Sequence, residues 1–304
     1  MNEIAVEAKG LKKTYEKVDA VKGVSFAIPK GELFGLIGPD GAGKTSIFRI
    51  LTTLILPTEG KAEIFGNDVV KDYKKIRNNI GYMPQRFSLY QDLSVEENLN
   101  FFARVFGTSV QENYDLIKDI YIQIEPFKNR LAGKLSGGMK QKLALSCALI
   151  HSPDILILDE PTTGVDAVSR KEFWEMLIRL KQKGITIVVS TPYMDEANLC
   201  DRVALIQDGR IMKIDKPQNI TNEFGRKLWA IKSENIYKLI QDLRQFEFID
   251  TVYPFGEFIH ITSKDNSMDI NSLILLLKNN NHSKIEMLEV QPNIEDCFME
   301  LMNN

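Results

Sequence analysis

The spacing of apolar residues changes several times along the chain, and each change marks a new element. From Ile4 to Pro29 apolar and polar residues alternate in short stretches, with Val24, Phe26 and Ile28 on one face. That period predicts strands with one buried side. Gly31–Ile37 reads as a buried strand entering a glycine-rich loop, and Ser46–Leu54 continues with helical character before Pro57. From about Gln85 to His151 the pattern is largely helical. Ser94, followed by Glu97, predicts an N-cap and capping box for a helix reaching about Phe106. Tyr114–Glu125 is a second amphipathic candidate, and a third begins near Ser136 with Leu143, Leu145, Ala148 and Leu149 facing inward. Strands return at Ile155–Leu158, Ile185–Ser190 and Val203–Gln207, with a helix over Val168–Lys183. Alternating strands and helices predict a mostly parallel sheet with helices on its faces.

The pattern shifts near Pro217–Gly225. Beyond it the expected order is strand (Lys227–Lys232), helix (Asn235–Phe246), strand (Ile249–Tyr253), strand (Glu257–Thr262), helix (Met268–Asn279), strand (Lys284–Val290) and a final helix from about Ile294. This β-α-β-β-α-β order suits a small ferredoxin-like module. It holds no phosphate or metal motif, so a structural or dimer-contact role is expected of it. A chain of 304 residues accommodates such a second domain, since domains run to roughly 100–200 residues each.

Composition removes several function classes. Lys and Arg number 38 against 41 Asp and Glu, a net charge of −3, so no global basic surface draws the chain to nucleic acid. Cys147, Cys200 and Cys297 lie far apart without a CxxC pair. They read as free, buried thiols rather than a disulfide or zinc framework. Met1–Gly10 contains Glu3 and Glu7 and lacks the apolar stretch of a signal peptide. Runs such as Leu273–Leu277 fall far short of the ~20 residues that cross a bilayer. A passage through a membrane would have to come from another chain.

Two sequences carry the chemistry. Gly38-Pro39-Asp40-Gly41-Ala42-Gly43-Lys44-Thr45 fits the Walker A pattern G-x-x-x-x-G-K-[ST], with strand before and helix after. Gly38, Gly41 and Gly43 let backbone amides face phosphate oxygens. The helix that takes in Ser46 offers its positive end, Lys44 places a point charge on the β- and γ-phosphates, and Thr45 can give its hydroxyl to magnesium. Far downstream, Ile155–Leu158 ends in Asp159-Glu160, two carboxylates at the end of an apolar strand.

With Leu135-Ser136-Gly137-Gly138-Met139 standing between them, these motifs resemble those of the ATP-binding subunits of ABC transporters over roughly residues 5–215. The resemblance implies an α/β fold: a P-loop NTPase (RecA-like) core over 1–218 with an inserted helical subdomain at about 86–150, followed by the ferredoxin-like α+β domain at 226–304. It implies ATP and Mg²⁺ as ligands. Asp159 would hold hydrated magnesium together with Thr45 and Gln85, and Glu160 would orient or deprotonate the attacking water. Lys44 and Gln85 would share in catalysis, and Tyr15 would stack on adenine. Ser136, Gly137 and Gly138 would cap the γ-phosphate of ATP held by a second subunit, with Asp166 of Gly164-Val165-Asp166 crossing the dimer interface. Partners implied are that second ATPase subunit and transmembrane permease subunits, which would hold the chain at the cytoplasmic face of the plasma membrane. The tail Val290–Phe298 is similar to drug-resistance and polysaccharide-type exporters. Arg86, Phe87, Leu89 and Tyr90 mark a candidate dock for a coupling helix of the membrane partner.

One position departs from the family. Where these subunits usually carry a switch histidine, the chain reads Ser190-Thr191-Pro192-Tyr193-Met194. Proline has neither a side-chain donor nor a backbone N–H. Loss of one transition-state donor typically costs on the order of 10²–10³ in rate, so slow hydrolysis at this chain's own site is expected. His151, His260 and His282 are expected at the surface or in loops, none replacing it. Two other classes stay open: a low-turnover regulatory or assembly subunit, and a soluble ABC ATPase acting on nucleic acid or ribosomes. Only about fifty residues separate Gln85 from Ser136, too few for the coiled coil of DNA-repair types, and one Walker A site differs from the usual two of translation-factor types.

Overall fold

A computed structural model describes residues 3–265 and 269–303; the expected helix start at Met268 lies outside them. The chain divides into two compact units, one running to Gln218 and one of Asn219–Glu300. The first unit opens with β1 (Ile4–Tyr15), β2 (Val18–Pro29), β3 (Leu33–Ile37), α1 (Lys44–Leu51), β4 (Glu59–Ile64), β5 (Asn67–Asp68), α2 (Tyr73–Asn79) and β6 (Ile80–Met83). It continues with α3 (Val95–Val105), α4 (Tyr114–Tyr121), α5 (Gly137–Leu149), β7 (Ile155–Asp159), α6 (Ala167–Gln182), β8 (Thr186–Thr191), β9 (Arg202–Gln207) and β10 (Arg210–Asp215).

Two sheets share one core. An antiparallel sheet of order β2-β1-β4-β5 packs against a sheet of order β10-β9-β3-β8-β7-β6. Val6, Leu11 and Ile28 of the first meet Phe34, Ile47, Phe48, Val188 and Ile206 around α1 in a single cluster. Phe26 stacks on Phe34 with ring centroids 6.0 Å apart, bridging the sheets. Each such side chain contributes roughly 1.5–3 kcal/mol when fully buried.

The larger sheet is parallel from β6 through β7, β8 and β3 to β9, with β10 antiparallel at its edge. Its strands β3, β7 and β8 are buried along their whole length. Parallel strands covered on both faces read as continuous apolar runs instead of alternating ones, which is why Ile155–Leu158 was legible. Because these strands run the same way, their carboxyl ends lie along one edge. Register pairs Ile37 with Thr191, and Ser190 with both Leu36 and Asp159. Ligands of open α/β sheets bind at this edge.

The structure adds elements that the periodicity did not predict. The segment 59–83 holds β4, β5, α2 and β6. Its strand β6 is masked by Gly81, which is required for packing: a Cβ there would lie 2.4 Å from the Ala148 carbonyl oxygen of α5. The expected helix over Tyr114–Glu125 stops at Tyr121 and gives way to a 3-10 turn, Glu125–Phe127. Pro126 has no N–H to give the Ile122 carbonyl, so an α-helix cannot run on unbroken through this segment.

The second unit follows α7 (Pro217–Asn222) with β11 (Leu228–Lys232), α8 (Ile236–Leu243), β12 (Ile249–Phe255), β13 (Phe258–Ser263), α9 (Ile270–Asn279), β14 (Glu286–Val290) and α10 (Ile294–Asn303). Its antiparallel sheet has the order β12-β13-β11-β14, the ferredoxin-like arrangement expected. Trp229, Ile231, Leu239, Leu243, Ile259 and Leu273 build a core of its own. All three cysteines are buried and free, as their spacing suggests.

Of the three histidines, His151 and His282 lie in loops as expected, and His260 does not. His260 lies in β13, buried, with Nδ1 2.7 Å from Asp296. His282 occupies a turn but is also buried, 2.9 Å from Asp242. His151 is half-buried, stacks on Phe106 at 3.8 Å and donates from Nε2 to the Ile80 carbonyl. Carboxylates within reach partner the buried imidazoles of His260 and His282, whereas His151 Nδ1 is buried without a partner.

Candidate functional site

Beyond Ile37 the backbone turns through Gly38–Gly43 into α1. A Cβ on Gly38 would lie 2.1 Å from the Ile206 carbonyl oxygen. Gly43 caps α1 at φ +102, with the Ala20 carbonyl 2.3 Å from where a Cβ would sit. Both positions therefore demand glycine, for close approach and for left-handed backbone. The loop borders a cavity of about 490 Å³ lined by Asp40, Gly41, Gly43, Lys44, Thr45, Ser46, Ala20, Gln85 and Glu160.

Lys44 is 3% exposed, and its ammonium reaches three acceptors: the Gly38 carbonyl at 2.7 Å, the Pro39 carbonyl at 2.9 Å and Glu160 Oε1 at 3.1 Å. Three donors meet three acceptors, so the buried charge is satisfied. Glu160, at the end of β7, is likewise buried and holds φ at +49, a left-handed conformation unusual outside glycine. Its Oε2 accepts from Gln85 Nε2 at 2.7 Å and from Thr163 Oγ1 at 3.4 Å.

Asp159 is fully buried. Its Oδ1 accepts from Ser190 Oγ at 2.7 Å and Thr45 Oγ1 at 3.2 Å, while Oδ2 is buried with no hydrogen-bond partner. Burial pushes the carboxyl upward from its ordinary pKa; hydrogen bonds from Ser190 and Thr45 hold it back, and Glu160 adds repulsion. An orphaned carboxylate oxygen beside a threonine hydroxyl is the hard oxygen set that magnesium takes. With the open glycine loop beside it, the site fits a magnesium-bound nucleotide.

The remaining expected residues fall in two places. Tyr15 does not line the cavity, but its hydroxyl is 3.3 Å from Ser46 Oγ, and Lys13 lies over its ring at 5.0 Å. Ser136 caps α5, accepting from Met139 N at 3.4 Å; it and Gly137 are exposed, whereas Gly138 is buried. A Cβ on Gly138 would meet Ser169 Oγ at 2.6 Å. Ser169 N in turn donates to Asp166, the exposed N-cap of α6, at 3.0 Å. Ser136, Gly137 and Asp166 are exposed at one corner around the buried Gly138, and the four supply none of the described lining of the chain's own cavity.

After β8 the backbone is stitched without a histidine. Tyr193 N donates to Thr191 Oγ1 at 3.1 Å, and Thr191 donates to the buried Glu196 at 2.5 Å, which also accepts from Thr162. Of the four residues singled out as a dock, Leu89 is buried and Arg86 and Tyr90 are exposed. Phe87, half-buried beneath Lys140, lines an apolar groove of about 430 Å³ with Met83, Phe102, Val105, Phe106 and Ala144. Sequence reasoning missed Ala20, Thr163 and Ser190. No local motif marks them; parallel register and long-range packing bring them to the site.

Comparison with known proteins agrees with this geometry. Residues 21–163 match the ABC transporter family model. The chain is 34% identical over 305 residues to the Nod factor export ATP-binding protein I of Rhizobium sp. (strain N33), covering 99% of this chain and 98% of that protein. It is 41% identical over 220 residues to the probable multidrug ABC transporter ATP-binding protein YbhF of Escherichia coli (strain K12), covering 72% of this chain; it spans only 38% of YbhF. Among solved structures, the dimeric ATP-binding cassette MJ0796 bound to ADP and Pi matches at TM-score 0.63 and 29% identity over 69% of this chain and 98% of that one. The cbiO1 structure from Clostridium perfringens matches at 0.65 and 26%, over 73% and 92%. With its phosphate loop, acidic pair and signature corner placed as they are, the chain belongs to the ABC transporter ATP-binding proteins.

Proposed function

We propose that this chain binds and hydrolyses ATP to drive a membrane exporter, working as one of two ATPase subunits. One observation carries the reading: the Walker A loop, Glu160 and Gln85 line one cavity, with Asp159 buried behind Thr45, whereas Ser136–Gly138 contribute none of its described lining and Ser136 and Gly137 are exposed. A capping signature must then come from a second subunit. Dimer contact is also in keeping with MJ0796, a dimer with ADP and Pi. Export follows the printed function of the full-length relative, Nod factor export.

In this mechanism Lys44 leaves its carbonyl and Glu160 partners for the β- and γ-phosphate oxygens. Amides of Gly41, Ala42 and Gly43, with Pro39 and Asp40 shaping the loop, cradle the phosphates. Tyr15 packs on adenine, and Ser46 supports it. Thr45, Asp159 Oδ2 and Gln85 would hold magnesium, which would supply charge neutralisation to the phosphoryl transfer. Freed from Lys44, Glu160 orients the attacking water and accepts its proton. Ser136, Gly137 and Gly138 of one subunit close on the γ-phosphate held by the other, with Asp166 at the seam. The work available to transport is the difference in dimer affinity between nucleotide states. No helix among the described residues is long and apolar enough to cross a membrane, so permease subunits supply the passage and hold the chain at the cytoplasmic face. Pro192 supports a second reading within the same family, a subunit of low turnover that completes a partner's site.

The test is ATP turnover with and without magnesium, for wild type and Glu160→Gln. The variant is expected to lose roughly 10²–10⁴-fold in rate, to keep ATP binding and to run as a dimer when loaded with ATP and magnesium. Wild type and variant that both stay monomeric under those conditions, even with the permease present, would exclude the shared-site mechanism.

A further inference from the structure

Ser190 stands in β8, between the strand that feeds the phosphate loop and the strand that carries the acidic pair. Its register partners are Leu36 on one side and Asp159 on the other. It is fully buried. The hydroxyl's single proton goes to Asp159 Oδ1 at 2.7 Å, and its oxygen accepts the Glu160 N–H at 3.0 Å. One side-chain atom therefore touches both residues of the acidic pair.

Each bond has a geometric consequence. Donation to Oδ1, shared with Thr45, fixes which Asp159 oxygen is occupied and leaves Oδ2 buried and open. Acceptance from the Glu160 amide, which the Ser190 carbonyl also contacts at 3.1 Å, ties down the left-handed turn at φ +49 that aims the Glu160 side chain. Without the hydroxyl, Asp159 keeps one donor, and its carboxylate is free to rotate toward Thr45. The Glu160 amide keeps only the backbone carbonyl. Two residues further on, Pro192 offers the site no donor, so this strand acts on the chemistry through Ser190.

We propose that Ser190 is a positioning residue for magnesium-dependent hydrolysis, orienting Asp159 toward the metal and Glu160 toward the attacking water. The proposal rests on the ATPase reading above.

The test uses the full chain carrying Ser190→Ala or Ser190→Thr, the latter keeping the hydroxyl. Three quantities are measured: the magnesium concentration for half-maximal ATP turnover, binding of a fluorescent ATP analogue with and without magnesium, and the melting midpoint. Outer-shell partners of a metal ligand are typically worth 10–100-fold in metal affinity. Ser190→Ala is therefore expected to raise the magnesium requirement by about tenfold or more, to weaken analogue binding only when magnesium is present, and to lower turnover. Ser190→Thr should restore all three toward wild type. A wild-type magnesium requirement in Ser190→Ala would overturn the proposal, as would an equal loss of binding with and without magnesium. If Ser190→Ala does not fold, the isosteric Ser190→Cys, a weak donor, is read by the same criteria. Failure of the wild type to bind the analogue at all would instead remove the nucleotide site, and this proposal with it; wild-type binding separates the two failures.

Discussion

At the scale of residues, Pro192 after β8 underlies the proposal that this site turns over slowly. Thr191 and Glu196 already hold this segment in place, and Tyr193 N closes the turn around Pro192. Proline in this turn supplies no donor to the site. Pro192→His is expected to raise ATP turnover by at least about tenfold, given that one transition-state donor is typically worth 10²–10³. Steady-state kinetics at saturating ATP and magnesium would read this; an unchanged rate means that Glu160 suffices without it. The buried Lys44–Glu160 pair sharpens the same point. In the proposed mechanism nucleotide displaces this buried, satisfied ion pair.

At the scale of elements, caps and close contacts fix the frame that carries the site's outer face. Ser94 and Glu97 form the expected reciprocal capping box at α3, with bonds of 2.8 and 3.2 Å. One turn on, the fully buried Asn98 accepts from Tyr90 N, and its amide reaches the carbonyls of Tyr90, Leu93 and Ser94. These bonds pin the loop that follows Gln85 to the start of the helix. Ser94→Ala is expected to destabilise the fold by about 1 kcal/mol, within the usual range for a lost N-cap, while leaving nucleotide binding intact. Urea unfolding with an unchanged slope would measure it, and an unchanged midpoint would show that the box is redundant with Asn98.

At the scale of the whole molecule, the groove beside Phe87 is an apolar surface that none of the described residues fills. It lies next to β6, whose end leads directly to Gln85. A membrane partner seated there would act on the nucleotide site through two residues of backbone. Replacing Phe87 and Tyr90 with serine is expected to weaken assembly with the permease by tenfold or more, since buried aromatics at an interface typically cost 1 kcal/mol or above when truncated. ATP binding should be spared, and co-purification against ATP affinity would separate the two effects. Full assembly in the double variant would rule out this face as the dock.

The chain by itself determined most of the chemistry. Walker A spacing, the acidic pair after an apolar run and the capping signals are local patterns, and local patterns survive in one dimension. The same holds for the ferredoxin-like order, where strand and helix periods alternate cleanly. Tertiary structure alone decided what depends on packing between distant segments. It hid β6 behind a glycine needed for close approach to α5, buried two histidines against carboxylates, and drew Ser190, Ala20 and Thr163 into the site. Parallel strand order collects carboxyl ends at one edge, and nothing in residue spacing reports which loops share that edge.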